Sequence, residues 1–324
     1  MVDQVELPGG LVWAERPFPD ANFLLLTGDR PALIDSGFAS HAEQTAALAT
    51  EGRDPIQAVV NTHWHSDHVG GNQLLQQAGA EIISSPHDAG ALSRVDAGCC
   101  VAEYLDQPVP QYTVDTAAGD GDRLLLGQSE WQVIAIPGHT PGHLALWEPE
   151  QRTLVVGDSM SSYDVGWVSI MSEGVEALDT AIASVTRLRE LDARTILPGH
   201  GPLITTDADA AVDKAIDRLT RQREHLDRAV SYGAKRVLAF QLMIRDGIAA
   251  TELEPYLHQR AWARDAATML EVSIEEFARD LVDSMVSAGA ITNDHGILRA
   301  AAPYTEADPS VFDLPWPKDW TSTT

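Results

Sequence analysis

Cysteine is almost missing from this chain: of 324 residues only Cys99 and Cys100 carry a thiol, and they are neighbours. A bridge between adjacent residues is strained, so a disulfide framework is excluded. Both thiols read as free and buried, in a reducing compartment, the cytoplasm. Lysine is scarce too: Lys214, Lys235 and Lys318 are the whole set, and arginine carries most of the basic charge. With 22 basic against 48 acidic residues the net charge is −26. Such a field repels polyanions and argues against broad contact with nucleic acid or an anionic bilayer. No run of about eighteen apolar residues occurs, so no segment reads as a membrane span. Met1–Gly10 has neither a basic start nor an apolar core, so no secretory leader is expected. Hydrophobic residues at 44% and charged residues at 22% are globular proportions and exclude a disordered or collagen-like chain.

What is present is a series of short apolar runs, each ending in polar residues. Phe23–Leu26 and Ala32–Ile34 flank Gly28-Asp29-Arg30-Pro31, a hairpin signal. His41–Thr50 is helical in pattern, Ala58–Asn61 is a buried strand, Gly71–Gly79 is helical and Glu81–Ser84 is a strand. Arg123–Leu126 with Trp131–Ile136, and Leu144–Trp147 with Thr153–Val156, predict two further hairpins. Leu178–Leu191 is an amphipathic helix leading to the strand Thr195–Leu197. Ala91–Thr116, with Tyr104 and Tyr112, has little pattern and reads as a candidate lid.

After about residue 205 the chain turns helical. Asp207–Ser231 predicts one long amphipathic helix. Its Arg218, Arg221, Arg223 and Arg228 alternate with Asp213, Asp217, Glu224 and Asp227, so it reads as a salt-bridged, solvated helix rather than a nucleic-acid stripe. Val272–Ala288 has the apolar spacing of one helical face, a capping box in Ser273 and Glu276, and Gly289 placed for a C-terminal stop. Ala290–Thr292 and Ile297–Arg299 around Asn293-Asp294-His295-Gly296 predict a hairpin. Helices followed by a hairpin suggest a winged-helix-like unit, and the tail from Ala302, with Trp316 and Trp320, is expected to lie extended against the body.

The chemistry is concentrated in His63-Trp64-His65-Ser66-Asp67-His68. Three imidazoles and a carboxylate within six residues need a common partner, and His63 and His65, two apart at a strand end, can point the same way. Such a ligand set suits zinc, iron or manganese. Three more clusters follow strands: Pro137-Gly138-His139-Thr140-Pro141-Gly142-His143, Val156-Gly157-Asp158, and Leu197-Pro198-Gly199-His200-Gly201-Pro202. This order, HxHxDH…H…D…H over roughly residues 20–205, resembles the metallo-β-lactamase-fold hydrolases.

The resemblance implies an α/β chain: an αββα sandwich in residues 1–205, followed by a helical, winged-helix-like extension in residues 206–324. It implies two divalent metal ions, zinc first, with manganese or iron as alternatives. His63, His65 and His139 would hold one ion, Asp67, His68 and His200 the other, and Asp158 would bridge them. Asp35, in Leu33-Ile34-Asp35-Ser36-Gly37, matches the family's first motif and would orient a ligand imidazole. His143 is expected beside the ligands rather than among them, and His41, His87, His225, His258 and His295 are expected at the surface or in packing.

A hydroxide between two cations would attack a carbonyl or phosphoryl centre, with Asp67 and Asp158 as proton carriers. Tyr163 and Trp167, after the bridging residue, would line the pocket, and Tyr163 would hydrogen-bond a carbonyl. The bridging aspartate points away from true zinc β-lactamases and toward the esterase, lactonase and thioesterase members. The glutathione-binding signature of glyoxalase II is missing. The expected function is hydrolysis of a carboxylic ester, lactone or thioester of small size. Phosphodiester or RNA hydrolysis, a metal-binding regulator and di-iron oxygen chemistry are the alternatives. The helical extension also offers a surface for a homodimer.

Overall fold

The computed structural model describes residues 3–321; the outermost residues of the two expected regions, Met1, Val2 and Ser322–Thr324, lie outside them. Runs such as Phe23–Leu26 are apolar at every position because both of their faces are covered. Phe23 and Leu25 pack outward with Val59 and Leu75, whereas Leu24 and Leu26 pack inward with Trp131 and Val155. The same alternation sends Leu144 and Leu146 inward and Ala145 and Trp147 outward.

Two sheets therefore lie face to face. A seven-stranded sheet takes its strands in chain order from Asp3–Leu7 to Thr116–Ala117. It is antiparallel up to Ala32–Ile34 and parallel beyond it. A five-stranded sheet runs from Thr195–Pro198 through Thr153–Gly157, Leu144–Glu148 and Ser129–Ala135 to Arg123–Leu126. Helices Ala42–Thr50, Asn72–Gln77 and Pro86–Arg94 cover the outer face of the first sheet, and Glu176–Arg189 that of the second. This is the αββα sandwich.

The second outer layer continues without interruption into the C-terminal helices: one apolar cluster contains Leu154 and Val185 of the sandwich together with Val237, Trp262 and Phe277. The single long helix expected over Asp207–Ser231 is two helices, Ala208–Glu224 and Leu226–Ile244. They break at His225, where φ −132° and ψ 72° leave the helical region. No Pro or Gly marks the break. The two helices lie against different partners: Ala208–Glu224 packs on Glu176–Arg189, and Leu226–Ile244 packs on the C-terminal helices and hairpin. Two arginines of this stretch pair off-helix rather than with the interleaved acids, Arg218 with Asp164 and Arg223 with Asp179.

Beyond Ile244 come helices Ala250–Gln259, Ala261–Met269 and Ile274–Ser287. Ser273 Oγ caps the last by accepting from Glu276 N at 3.1 Å. The hairpin Ile291–Asp294 and Ile297–Ala300 turns through His295 and Gly296, both at positive φ. Ile248–Ala249 adds a third strand that the sequence pattern did not show. Two residues are too few for a periodicity to register. The tail packs Trp320 into the outer cluster of the first sheet. No helix among the described residues is long and apolar enough to cross a membrane.

Candidate metal centre and cavity

The polar clusters converge because the strands that carry them are adjacent in their sheets and end at one rim. His63 follows Ala58–Val60, Asp158 follows Thr153–Gly157, and His200 follows Thr195–Pro198. Ser66–Val69 form a short turn of helix, which swings Asp67 and His68 round toward the second-sheet residues. Two glycines are required here. A Cβ on Gly157, at φ +49°, would lie 2.4 Å from His143 Nε2, and one on Gly199 would lie 2.1 Å from Asp158 Oδ1.

Three groups of side chains bring ligand atoms within 4.8 Å of one another: His63, His65 and His139; His63, His68 and Asp158; and Asp67, His68 and His200. All seven residues of the sequence motifs are thus assembled. Asp158 lies among them: its Oδ1 is 3.3 Å from His68 Nε2, and its Oδ2 is 3.5 Å from His200 Nε2 and 3.8 Å from His139 Nε2. Asp67 Oδ2 is 3.0 Å from His200 Nε2.

The hydrogen bonds behind these rings decide which nitrogens carry lone pairs. Asp35, at φ +62°, accepts from Thr62 N and Thr62 Oγ1, both at 2.8 Å, and from His68 Nδ1 at 2.8 Å. The Thr62 hydroxyl has spent its one proton on Asp35, so toward His63 Nδ1, 3.1 Å away, it accepts. That places the His63 proton on Nδ1 and the lone pair on Nε2. His139 Nδ1–H donates to the carbonyl of Trp167, so its lone pair is also on Nε2. His139 Nε2 then faces His63 Nε2 at 3.1 Å and His65 Nδ1 at 3.0 Å. Lone pairs meeting at such distances repel unless a cation sits among them, and the spacing suits nitrogens about 2.0–2.1 Å from one ion. The donor set fits a metal.

The electrostatics agree. Burial, then the neighbouring imidazoles His68 and His139, holds His63 well below its ordinary value. Burial and His139 push His65 down to about 3. Both rings are neutral and ligand-competent at pH 7. His68 is the exception: burial opposes its charge, but Asp35, Asp158 and Asp67 raise it well above the ordinary value. Three carboxylates thus call for positive charge at that point.

His143 stands where the sequence suggested, beside the cluster: its Nε2 accepts from Asp158 N at 3.3 Å, and its ring lies 4.9 Å from that of His63. Thr62, Asn61 and Asn72 were missed. The two Asn side chains bond each other at 2.8 and 3.2 Å beneath the His63 strand end. Only the position of Asn61 and Thr62 directly before the motif could have pointed to them. The remaining histidines lie away from the centre; His41 bonds Asp20 Oδ2 at 2.7 Å and the Glu306 carbonyl at 3.0 Å.

A cavity of about 330 Å³ opens on the cluster, reaching His65, Asp67, His139, Asp158 and His200. Tyr163 and Trp167 both line it, as expected. Phe18 stacks on His200 with ring centroids 4.5 Å apart. The segment 91–116 contributes Leu105 and Gln107 to the wall, but not its tyrosines. Tyr112 is buried behind the first sheet, and Tyr104 donates to Asp265 at 2.8 Å. The segment is joined to its neighbours by hydrogen bonds: Ser66 donates to Gln107 at 2.9 Å, and Gln241 donates to the Leu105 carbonyl. The cysteines are buried and unbridged, and burial pushes Cys99 up to about 11. The opposite wall is the helix Leu226–Ile244, with Arg236, Val237, Phe240 and Met243. No sequence motif announces it.

The Metallo-beta-lactamase superfamily model matches residues 17–200, more than half of the chain. With the sandwich and the His/Asp rim, this chain belongs to that superfamily. Among similar proteins, a beta-lactamase-like protein 2 homolog of Caenorhabditis elegans is 30% identical over 213 residues, 62% of this chain and 62% of that protein. A hydroxyacylglutathione hydrolase of Rhodospirillum rubrum is 35% identical over 167 residues, 51% of this chain and 55% of its own. An atrochrysone carboxyl ACP thioesterase of Aspergillus fumigatus is 27% identical over 206 residues, 63% and 57% respectively. The chain thus matches 55–62% of the length of these relatives. A metallo-beta-lactamase family protein of Thermus thermophilus shares the fold with a TM-score of 0.53 at 21% identity, covering 91% of this chain and 99% of its own.

Proposed function

We propose that this protein is a two-metal hydrolase of carboxylic esters, lactones or thioesters. The observation that carries the reading is the meeting of three imidazole nitrogens, His139 Nε2 with His63 Nε2 at 3.1 Å and with His65 Nδ1 at 3.0 Å, beside a second His/Asp group. In this reading His63, His65 and His139 would hold one divalent ion and Asp67, His68 and His200 a second, with Asp158 lying between the two groups. Zinc suits the nitrogen-rich side, with manganese or iron as alternatives. When bound, the ions supply Lewis-acid polarisation of a carbonyl and water acidic enough to attack it near neutral pH.

The chain's own residues do the rest. Thr62 fixes the His63 proton on Nδ1, so that its Nε2 lone pair faces inward, and Asp35 takes the His68 Nδ1 proton, so that His68 Nε2 is the nitrogen aimed at Asp158. Asp67 and Asp158 line the cavity and can hold the proton of the attacking water and return it to the leaving group. Tyr163, half-exposed at the cavity wall, is placed to donate to a substrate carbonyl. Leu105, Val237, Phe240 and Met243 shed water around an apolar acyl arm.

Support for acyl rather than phosphoryl transfer comes from that apolar wall, from the net charge of −26, and from the thioester chemistry that two of the relatives' names describe. The cavity's volume of about 330 Å³ supports a small-molecule substrate.

The test is proton release over a panel of lactones, aryl and alkyl esters and acyl thioesters. The protein is assayed after chelation and after zinc or manganese is restored. Turnover of one acyl class that disappears on chelation and returns with metal is expected. Metal-loaded protein inert on every acyl compound, yet active on phosphodiesters, would overturn the proposal.

A further inference from the structure

The helix Leu226–Ile244 turns one face to the cavity, with Arg236, Val237, Phe240 and Met243 at spacings of one, four and seven, the repeat of a single helical face. At 1.5 Å per residue, Arg236 and Met243 stand about 10 Å apart along its axis. The Met243 end is apolar, with Leu105 and Phe240. The Arg236 end is shared with Tyr163, Asp158 and His200, around which a smaller recess forms.

Arg236 is the only basic side chain among the described residues that lines either space, apart from the histidines of the centre. Its guanidinium is held from one side. Nη1 lies 3.3 Å from Asp164 Oδ2 and donates to Tyr232 OH at 3.1 Å, and Cζ sits 5.5 Å from the Tyr232 ring centroid. Nη2 and Nε have no hydrogen-bond partner among the described residues, and the side chain keeps about a third of its exposure. Asp164 does not neutralise it alone, because Arg218 Nε claims the same carboxylate at 2.7 Å. Two guanidiniums thus share the Asp164 carboxylate. A planar fork with two free donors, immobilised by aromatic and carboxylate contacts, suits an oxyanion.

We infer that Arg236 is a specificity-determining residue that anchors an anionic group of the substrate, a carboxylate or phosphate. The ligand class is then a compound with an apolar arm along Val237, Phe240 and Met243 and an oxyanion at the Arg236 end. The inference rests on the hydrolase reading only for which bond is cleaved between them.

The test uses stable amides of one shape: N-hexylsuccinamic acid, neutral N-hexylbutanamide, and an analogue with a phosphate monoester in place of the carboxylate. Each is titrated calorimetrically into full-length, zinc-loaded protein, wild type and Arg236→Met. The wild type is expected to bind an anionic probe about tenfold or more tighter than the neutral one, as one charge-assisted pair would give. In Arg236→Met the preference shrinks to less than about threefold. The anion with the larger Arg236-dependent ratio identifies the group.

A wild type without preference overturns the inference. So does a preference that survives in Arg236→Met, because the anion would then sit on the metals. If Arg236→Met does not melt cooperatively, Arg236→Gln, which keeps partners for Asp164 and Tyr232, carries the same comparison. Binding is read without turnover. A protein that binds the anion through Arg236 but hydrolyses no ester, lactone or thioester therefore overturns the hydrolase reading and leaves this one standing.

Discussion

Replacing Asp106 by Asn is expected to loosen the contact between the cavity wall and the C-terminal helices, by an amount the structure lets one work out. Asp106 follows Leu105 and precedes Gln107, both of which line the cavity. Its carboxylate accepts from Arg245 Nη2 at 2.5 Å, Arg260 Nη1 at 2.8 Å and Tyr256 OH at 2.9 Å. Its side chain is 12% exposed and those of the two arginines are 20–21% exposed, so the group is neither dry nor freely solvated. Hydrogen bonds to charged partners are worth about 1.5–3 kcal/mol each. Asn keeps one acceptor, loses the charge, and turns an amide donor toward donors.

With the amide oxygen at the Oδ2 position the Arg260 bond is lost and the charge behind the other two goes with it, which, discounted for partial solvation, costs about 2–4 kcal/mol. The backbone is not the cause, because Asp106 has φ +58° and Asn tolerates that region. Asp106→Ala adds the left-handed cost of about 1–2 kcal/mol. Urea unfolding of zinc-loaded protein, followed by both circular dichroism and tryptophan fluorescence, checks the figure. A parallel assay should show a raised KM with little change in kcat, because the wall moves and the rim does not. Stability within about 0.5 kcal/mol of wild type would refute the reasoning. It would mean that the arginines find equal partners in water.

Other outcomes follow from the same contacts. Asp35→Asn removes the carboxylate behind His68 and Thr62; metal affinity, measured by chelator competition, should fall about 10–100-fold while the fold persists. Trp262 is fully buried among the C-terminal helices, so Trp262→Ala should cost about 3–5 kcal/mol and leave the metal content of folded protein unchanged. His41 is raised: burial opposes its charge, but the Asp20 bond and charge and the Glu306 carbonyl outweigh it. Its stabilisation is therefore fully present below the unfolded value of about 6.5 and is lost as pH rises through the folded value. The drop in Tm of His41→Asn relative to wild type should be larger at pH 5.5 than at pH 8, and an equal drop at both would remove the ion pair from the account.

The sandwich and the seven-residue centre were legible in the chain before it folded, because both are written in local terms. A strand covered on both faces must be apolar throughout, as Phe23–Leu26 is, and clustered histidines at strand ends have few uses other than a metal. Gly157 and Gly199 lie inside the same motifs, but the approaches to His143 and Asp158 that forbid a Cβ at either belong to the folded chain. The rest came only with the folded arrangement. The break at His225 answers to packing between distant elements, with no Pro or Gly to announce it. Thr62 acquires its part only when Asp35, 27 residues earlier, arrives to take its proton. Asp106 and Arg236 look like ordinary surface charges until the helices bring Arg245, Arg260 and Tyr256 to the one and the cavity to the other. Residues that act through contacts between remote segments leave no periodicity or spacing behind, so the chain records the metal chemistry plainly and the shape of its substrate hardly at all.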